Sequence, residues 1–161
     1  MEHRAVIEST TVEKVQQLLN EHAFLEAFAQ EVGVTPGPIE VEEQADVVTT
    51  TMPWAFRTDK AGIPSLAQKF LPKEVHLVWQ QQWQDDATGQ ITVELNGTPA
   101  ATCTGRATLT QDGDHVAYLV VTETKTHGVP WPINGKIESS INKDLVGWIL
   151  SVQARVANRE S

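Results

Sequence analysis

The sequence contains a single cysteine, Cys103, and no segment in which lysine and arginine cluster. One cysteine excludes an intramolecular disulfide, and it excludes a zinc site built from cysteine pairs. The 21 acidic and 12 basic residues give a formal net charge of −9, so the positive patch typical of nucleic-acid-binding proteins is missing. An anionic membrane surface would repel the chain. Nucleic acid is therefore excluded as the expected partner.

Long apolar runs are also missing. No run approaches the roughly 20 apolar residues that a transmembrane helix needs. Residues 1–4 (MEHR) do not begin the apolar core of a signal peptide. We therefore predict a cytoplasmic protein with no integral membrane association. A length of 161 residues is typical of one domain, 1–161, whose core is large enough to fold without a metal ion.

Periodicity predicts mainly β structure in the first three quarters of the chain. Residues 3–9 read as a first strand, and alternation with a period of two from residue 39 to residue 125 predicts six more. Residues 59–72 interrupt this alternation with a loop. Two short helices separate the first strand from the others. Thr10 and Glu13 match a capping box at the start of the first helix, and Gly33 is suited to end the second.

The C-terminal segment has the apolar spacing of one long helix. Its apolar residues recur every three or four positions and form a stripe about 100° wide; they are Ile137, Ile141, Leu145, Trp148, Val152 and Val156. A helix with so wide an apolar face needs a cover, and the sheet is the only large element available. We predict one helix near 135–157 across the concave face of a single antiparallel sheet.

This order of elements resembles the helix-grip fold of the START and birch-pollen-allergen superfamily (SRPBCC). Residues 62–70 (GIPSLAQKF) and 128–138 (GVPWPINGKIE) resemble motifs of the domain of unknown function 2505 family within it. The resemblance implies an α+β domain in which about seven strands curve around the C-terminal helix, often with a cavity between them. Relatives bind lipids, sterols, polyketides or plant hormones, some are cyclases, and others contact protein partners. Fold alone does not choose among these functions.

Two strands suggest where such a cavity would lie. The apolar face of the strand at 74–83 carries Trp79 and Trp83, so we expect these to point inward with Gln81, and His76 to point outward. We expect Gln80 and Gln82 to point outward as well. The inward residues of 101–109 are small; they are Ala101, Cys103, Gly105 and Ala107. Either the helix approaches this strand closely, or the space holds a ligand.

Two polar residues fall within the apolar sector of the C-terminal helix. Glu138 and Asn142 are four residues apart, so their side chains are neighbours. A carboxylate facing an apolar cavity can orient a ligand or acquire a raised pKa. Alternatively, Glu138 lies in the first turn at a solvated mouth, where the helix dipole favours it. Unpaired buried polar groups cost about 1–3 kcal/mol, so a pocket with water or a ligand would explain both residues.

No cofactor or metal site is predicted. The histidines His3, His22, His76, His115 and His127 are scattered without metal-ligand spacing, and the sequence has no phosphate-binding loop or dinucleotide fingerprint. Cys103 is expected to face inward as an inert small residue rather than to act as a nucleophile.

The sequence thus favours a carrier or sensor for a small hydrophobic or amphipathic molecule, such as a lipid, a sterol-like compound or a polyketide-like compound. Two alternatives stay open: a cyclase or dehydratase that uses Glu138 as general acid or base, and a protein-interaction module with a filled core. The candidate ligand-binding residues are Trp54, Phe70, Leu77, Trp79, Gln81, Trp83, Cys103, Gly105, Trp131, Glu138, Ile141, Asn142 and Leu145.

Overall fold

The structure, a computed structural model, describes residues 1–57, 73–96 and 100–160. The loop predicted at 59–72, with its motif at 62–70, lies outside the described residues, as does most of the turn at 96–99. The described residues form one antiparallel sheet, three helical regions and the turns between them.

The sheet contains eight described strands. These are β1 (Glu2–Ile7), β2 (Thr35–Pro36), β3 (Glu40–Gln44), β4 (Val47–Arg57), β5 (Glu74–Gln84), β6 (Thr88–Asn96), β7 (Ala100–Asp112) and β8 (His115–His127). Their order across the sheet is β1-β8-β7-β6-β5-β4-β2, and β3 also pairs with β4. Every pairing is antiparallel. The curved antiparallel sheet expected from the periodicity is confirmed, with the two-residue β2 as an addition.

The orientation predicted for β5 is confirmed. Trp79 and Trp83 are 0% and 1% exposed, whereas His76 and Gln82 are exposed and Gln80 is half-buried. A shift of one residue would have reversed the whole set, because successive side chains on a strand point to opposite faces. The register is fixed on both sides, where Trp79 pairs with Met52 of β4 and with Val93 of β6.

Two short helices follow β1, as expected, but the first begins one residue later than predicted. Helix α1 (Val12–Leu19) has Thr11, not Thr10, as its N-cap, and the Thr11 hydroxyl accepts a hydrogen bond from the Lys14 amide. The predicted capping box is therefore wrong, since Thr10 is buried and its amide bonds to the Asp114 carbonyl. Helix α2 (His22–Val32) ends at Gly33 as predicted. Gly33 has a φ of 86°, a left-handed conformation that glycine adopts without strain.

The C-terminal helix has three parts: α3 (Ile133–Ser140), a π-helical segment (Ile141–Val146) and α4 (Gly147–Glu160). It packs against β8, β1 and α2, and this confirms the predicted long helix against the sheet. The π segment, in which hydrogen bonds span five residues, was not predicted. No helix within the described ranges is long and apolar enough to cross a membrane.

An aromatic cluster fills the interior between α2, β4 and β5. The rings of Trp54 and Trp79 stack with centroids 5.6 Å apart. Phe28 meets both indoles edge-on, at 5.3 Å from Trp54 and 5.7 Å from Trp79. Edge-to-face and stacked pairs add about 0.5–1.5 kcal/mol each beyond the burial of their area. This cluster packs α2 against β4 and β5.

Candidate functional site

A chain of buried polar side chains crosses the interior between the sheet and the C-terminal helix. Gln81 on β5 accepts hydrogen bonds at Oε1 from Trp79 Nε1 (3.2 Å) and from Gln153 Nε2 (3.3 Å). Its own amide nitrogen donates to the Leu19 carbonyl at 2.8 Å. Tyr118 on β8 donates to Gln153 Oε1 at 2.7 Å. Gln81, which was predicted to point inward, is therefore held by hydrogen bonds to protein groups from several elements.

The small inward residues of β7 lie where neighbouring groups come close. A methyl group on Gly105 would lie 3.1 Å from Val120 and 3.2 Å from Thr122, two side chains of the adjacent strand β8. The Cys103 thiol donates to Asn142 Oδ1, with a sulfur–oxygen distance of 3.7 Å. At Cys103 a side chain of the C-terminal helix thus reaches β7, whereas Gly105 is crowded by β8. Burial raises the pKa of the Cys103 thiol, in keeping with an unreactive side chain.

Glu138 and Asn142 both have partners on β8. The Glu138 carboxylate accepts hydrogen bonds from the amide (2.8 Å) and the hydroxyl (2.9 Å) of Thr126. Asn142 Oδ1 accepts from the Thr124 hydroxyl at 2.6 Å. Both bonds to Glu138 end on Oε2, so the protein satisfies Glu138 Oε2 and Asn142 Oδ1 without a ligand or water. The bonds fasten the first half of the C-terminal helix to the end of β8.

Most of the remaining candidate residues belong to the hydrophobic core. Leu77 and Trp83 are buried on β5, and Trp83 meets Tyr118 edge-on at 6.2 Å between centroids. Ile141 and Leu145 are buried on the π segment. Trp131 is 85% exposed and stands apart from this core. Phe70 lies outside the described residues.

Two buried polar atoms on the inner face of β4 have no hydrogen-bond partner in the described structure. They are the indole nitrogen of Trp54 and the hydroxyl oxygen of Thr50. The two residues are four positions apart, which is about 14 Å along a strand, so one small group could not satisfy both. The interior beside β4 is the part of the predicted site where a bound polar group would gain a hydrogen bond.

An open cleft of about 600 Å³ lies elsewhere, between β1, β8 and α4. Its apolar surfaces come from Ala5 and Val120 on the strands and from Leu150 and Ala154 on the helix. The other residues that line it are Glu2, His3, Arg4, Val6, Tyr118, Gly147, Ser151, Arg155 and Asn158. Two other depressions, on the opposite face of the sheet, are lined mainly by polar residues of β5–β8. The cleft differs from them in that it lies against the C-terminal helix and includes buried apolar residues of that helix.

The charged groups of the cleft are paired with one another or with neighbours. Arg4 and Glu2 form an exposed ion pair at 2.7 Å, and Arg155 contacts Glu31 at 3.3 Å. His3 is half-buried, and its Nε2 lies 3.1 Å from the Thr122 hydroxyl. Burial, and secondarily the positive N-terminus, lower the pKa of His3, so its ring is neutral at pH 7. Glu31 also contacts Arg159 at 3.5 Å, so the positive groups around the cleft outnumber the negative ones.

Sequence reasoning missed this cleft, although the helix side of it left a signal. Its helix residues recur at three- and four-residue intervals and include three small ones; they are Gly147, Leu150, Ser151, Ala154, Arg155 and Asn158. Such a stripe beside the main apolar face indicates a helix flank that fits against another surface. Whether this flank of the helix stays open at β1 depends on how the helix packs against the sheet, which its sequence alone does not show.

Within the described ranges, no cluster of three or more histidine, cysteine or acidic side chains could hold a metal ion.

Solved structures with the same fold cover the whole chain. The protein TTHA0849 from Thermus thermophilus is 15% identical over 100% of this chain and 99% of its own, with a TM-score of 0.59. The Zhui aromatase/cyclase from Streptomyces sp. R1128 is 10% identical over 100% of this chain and 94% of its own, with a TM-score of 0.60. Ara h 8.0201 is 13% identical over 97% and 95%, with a TM-score of 0.57.

At these identities the likeness shows the fold alone, and the fold is the helix grip. Among curated protein sequences, none matches the chain. The model of the family described as "Protein of unknown function (DUF2505)" matches residues 2–158, which is nearly the whole chain. The chain belongs to this family.

Proposed function

We propose that the domain binds a small amphipathic ligand in the cleft between β1, β8 and α4, as a carrier or sensor. The observation that carries the proposal is the cleft itself. Its volume of about 600 Å³ lies within the roughly 300–1,000 Å³ typical of ligand sites. It lies between the sheet and the C-terminal helix, the two elements between which helix-grip proteins were expected to hold ligands.

The lining matches a ligand with an apolar body and a polar end. Val120, Leu150 and Ala154 are each at most 5% exposed and form an apolar floor. Covering such surface contributes roughly 25 cal/mol per Å² of apolar area removed from water. Ser151 and Asn158 are exposed polar residues on the helix side and would orient the polar end.

The catalytic alternative has less support. It needs a carboxyl group that faces the ligand, and Glu138, whose Oε2 accepts two hydrogen bonds from Thr126, does not line the cleft. One structural neighbour is an aromatase/cyclase, but at 10% identity it shares only the fold. We therefore place binding ahead of catalysis.

Dye binding tests the proposal. The amphipathic dye anilinonaphthalene sulfonate should fluoresce when it binds the wild-type domain. Ser151→Trp places an indole in the mouth of the cleft from an exposed position, so we expect it to weaken dye binding at least tenfold. Ser139→Trp is the matched control, because Ser139 is exposed on the same helix and does not line the cleft.

Native mass spectrometry of freshly purified protein provides a second measurement. Extra mass should accompany the wild-type chain and the Ser139→Trp variant, and it should be absent from Ser151→Trp. Equal dye affinity in all three proteins would show that the ligand does not occupy this cleft. In that case the interior beside β4 becomes the site to test.

A further inference from the structure

The outer edge of β1 faces the cleft and is open. Only β8 pairs with β1 among the described strands. Met1 and Thr122 exchange backbone hydrogen bonds, at 2.6 and 2.8 Å, which makes them a hydrogen-bonded pair of the antiparallel ladder. Such pairs alternate along a ladder. The odd-numbered residues of β1 therefore bond to β8, and the amides and carbonyls of Glu2, Arg4 and Val6 point outward into the cleft.

A side-chain amide already occupies one end of this edge. Asn158 on α4 donates from Nδ2 to the Val6 carbonyl at 2.8 Å, and its Oδ1 accepts from the Glu8 amide at 2.9 Å. One carboxamide thus bonds to two outward backbone groups of the strand, as a peptide group of a neighbouring strand would. The contact shows that this edge is positioned to bind an amide, and it leaves the groups of Glu2 and Arg4 available.

The opposite wall of the cleft is built partly from small residues. Gly147, which has no side chain, and the small Ser151 and Ala154 lie on the side of the helix that faces β1. A methyl group on Gly147 would lie 3.0 Å from the ring of His3, which shows how closely the helix approaches the strand at that end. Between these walls the cleft follows β1 from Glu2 to Val6.

We propose that the cleft takes an extended peptide segment of a partner protein, which adds to the sheet as a strand beside β1. The proposal rests on the function proposed above, because it assigns a ligand class to the same cleft. Strand addition obtains its affinity from backbone hydrogen bonds and its specificity from pockets for alternate side chains. At about 3.4 Å per residue, the edge from Glu2 to Val6 is about five residues long, and the peptide would bond to the groups of Glu2 and Arg4 because Asn158 already holds the Val6 carbonyl.

The lining also determines the chemistry of the peptide. Arg4 is paired with Glu2, whereas Arg155 shares Glu31 with Arg159 and the positive N-terminus lies beside His3, so the cleft favours a segment without basic residues. Side chains directed at the helix meet Leu150 and Ala154 and should be small and apolar. The other side chains point toward solvent and are free to be polar. The expected partner segment therefore alternates small apolar residues with polar residues that are not basic.

Peptides of this kind test the inference directly. The probe is a fluorescently labelled acetyl-Val-Thr-Val-Thr-Val-amide, and its binding to the full chain is followed by fluorescence anisotropy. Two further peptides carry N-methyl groups on either the threonines or the valines. Only one set of amides faces β1, so one N-methylated peptide should bind at least tenfold more weakly than the parent while the other keeps most of its affinity. A purely apolar contact would not distinguish the two.

Arg4→Pro gives the matching change in the protein. The Arg4 amide points away from β8, and proline is tolerated on an edge strand where it removes no ladder bond. This variant should fold and bind the peptide at least fivefold more weakly. Arg4→Ala, the control, loses the ion pair with Glu2 but keeps the amide, and should bind like the wild type.

The outcomes separate this inference from the proposed function. Dye binding that Ser151→Trp weakens, together with no peptide binding, overturns the peptide and leaves the small-ligand cleft standing. If neither probe binds, both proposals fail. A homodimer in native mass spectra that Arg4→Pro dissociates, without peptide binding, would identify a second copy of the chain as the occupant and also overturns the inference.

Discussion

Gln153 on the C-terminal helix donates a hydrogen bond to Gln81 on β5, with Nε2 and Oε1 3.3 Å apart and both residues 0% exposed. The same Gln153 accepts from Tyr118, and the same Gln81 accepts from Trp79. These bonds tie the helix to opposite parts of the sheet through groups that water does not reach. Because these side chains share their hydrogen-bond partners, the loss of one should affect several elements.

Replacement of Gln153 by leucine tests this network. It leaves the Tyr118 hydroxyl without its acceptor, and an unpaired buried polar group costs about 1–3 kcal/mol. We expect Gln153→Leu to lower the free energy of unfolding in urea by that amount or more. In the Tyr118→Phe background the same replacement should cost less, since no hydroxyl is then stranded. Additive losses in this double-mutant cycle would show that the residues act independently.

Tyr118 should also make the protein sensitive to alkali. Its complete burial raises its pKa above the ordinary value of about 10. Above pH 10 the unfolded chain loses this proton and the folded chain keeps it, so stability falls as the pH rises, by up to about 1.4 kcal/mol per pH unit. Tyr118 is the only tyrosine, so tyrosinate absorbance reports it alone.

We therefore expect tyrosinate absorbance to appear only together with the loss of native tryptophan fluorescence, in one cooperative transition. Tyr118→Phe should show a shallower decline of stability above pH 10. Reversible ionisation of Tyr118 with native fluorescence preserved would contradict its burial.

Two glycines should respond to alanine in opposite directions. A methyl group on Gly89 would lie 2.8 Å from the indole ring of Trp83, which is buried and has little room to move. Overpacking of this kind costs about 1–3 kcal/mol. A methyl group on Gly135, within α3, would meet nothing within 4 Å. Gly135→Ala should therefore stabilise the protein by about 0.5–1 kcal/mol, the helix preference of alanine over glycine. Equal effects in urea denaturation would contradict the packing around Trp83.

The fold was accessible from sequence because its signals are periodic and extend over many residues. The alternation around Trp79 and Trp83 determined which face of β5 is buried, and the spacing from Ile137 to Val156 determined the helix. Features decided by a single residue were harder to predict. Thr10 and Thr11 are equally good N-caps by type, and it is the extended backbone of Thr11 (φ −122°, ψ 160°) that makes Thr11 the N-cap. In the C-terminal helix, the apolar spacing is compatible with both α and π geometry, so it did not predict the π segment.

The candidate site was less accessible, because it depends on how elements meet. The sequence located Glu138 and Asn142 in the apolar sector but did not identify their partners. A signal was present, since the inward positions at the end of β8 are a row of threonines, Thr122, Thr124 and Thr126. The cleft at β1 left a signal only on its helix side, in the small residues Gly147, Ser151 and Ala154. Its width follows from the position of α4 relative to the edge of the sheet, which periodicity does not encode.

Substitutions of Glu138 distinguish a binding site in the interior from one in the cleft. In the structure its carboxylate accepts hydrogen bonds from the amide and hydroxyl of Thr126, so its role is to hold α3 against β8. Glu138→Ala should therefore lower the free energy of unfolding by about 1–3 kcal/mol, because the Thr126 amide loses its acceptor. Glu138→Gln keeps an acceptor oxygen and should recover much of this loss. Neither change touches the cleft, so the dye affinity should be unchanged in both variants across the pH range in which they stay folded. A weaker or pH-shifted dye affinity in Glu138→Gln, at wild-type stability, would instead show that this carboxylate faces the bound ligand, and it would return the binding site to the interior beneath the C-terminal helix.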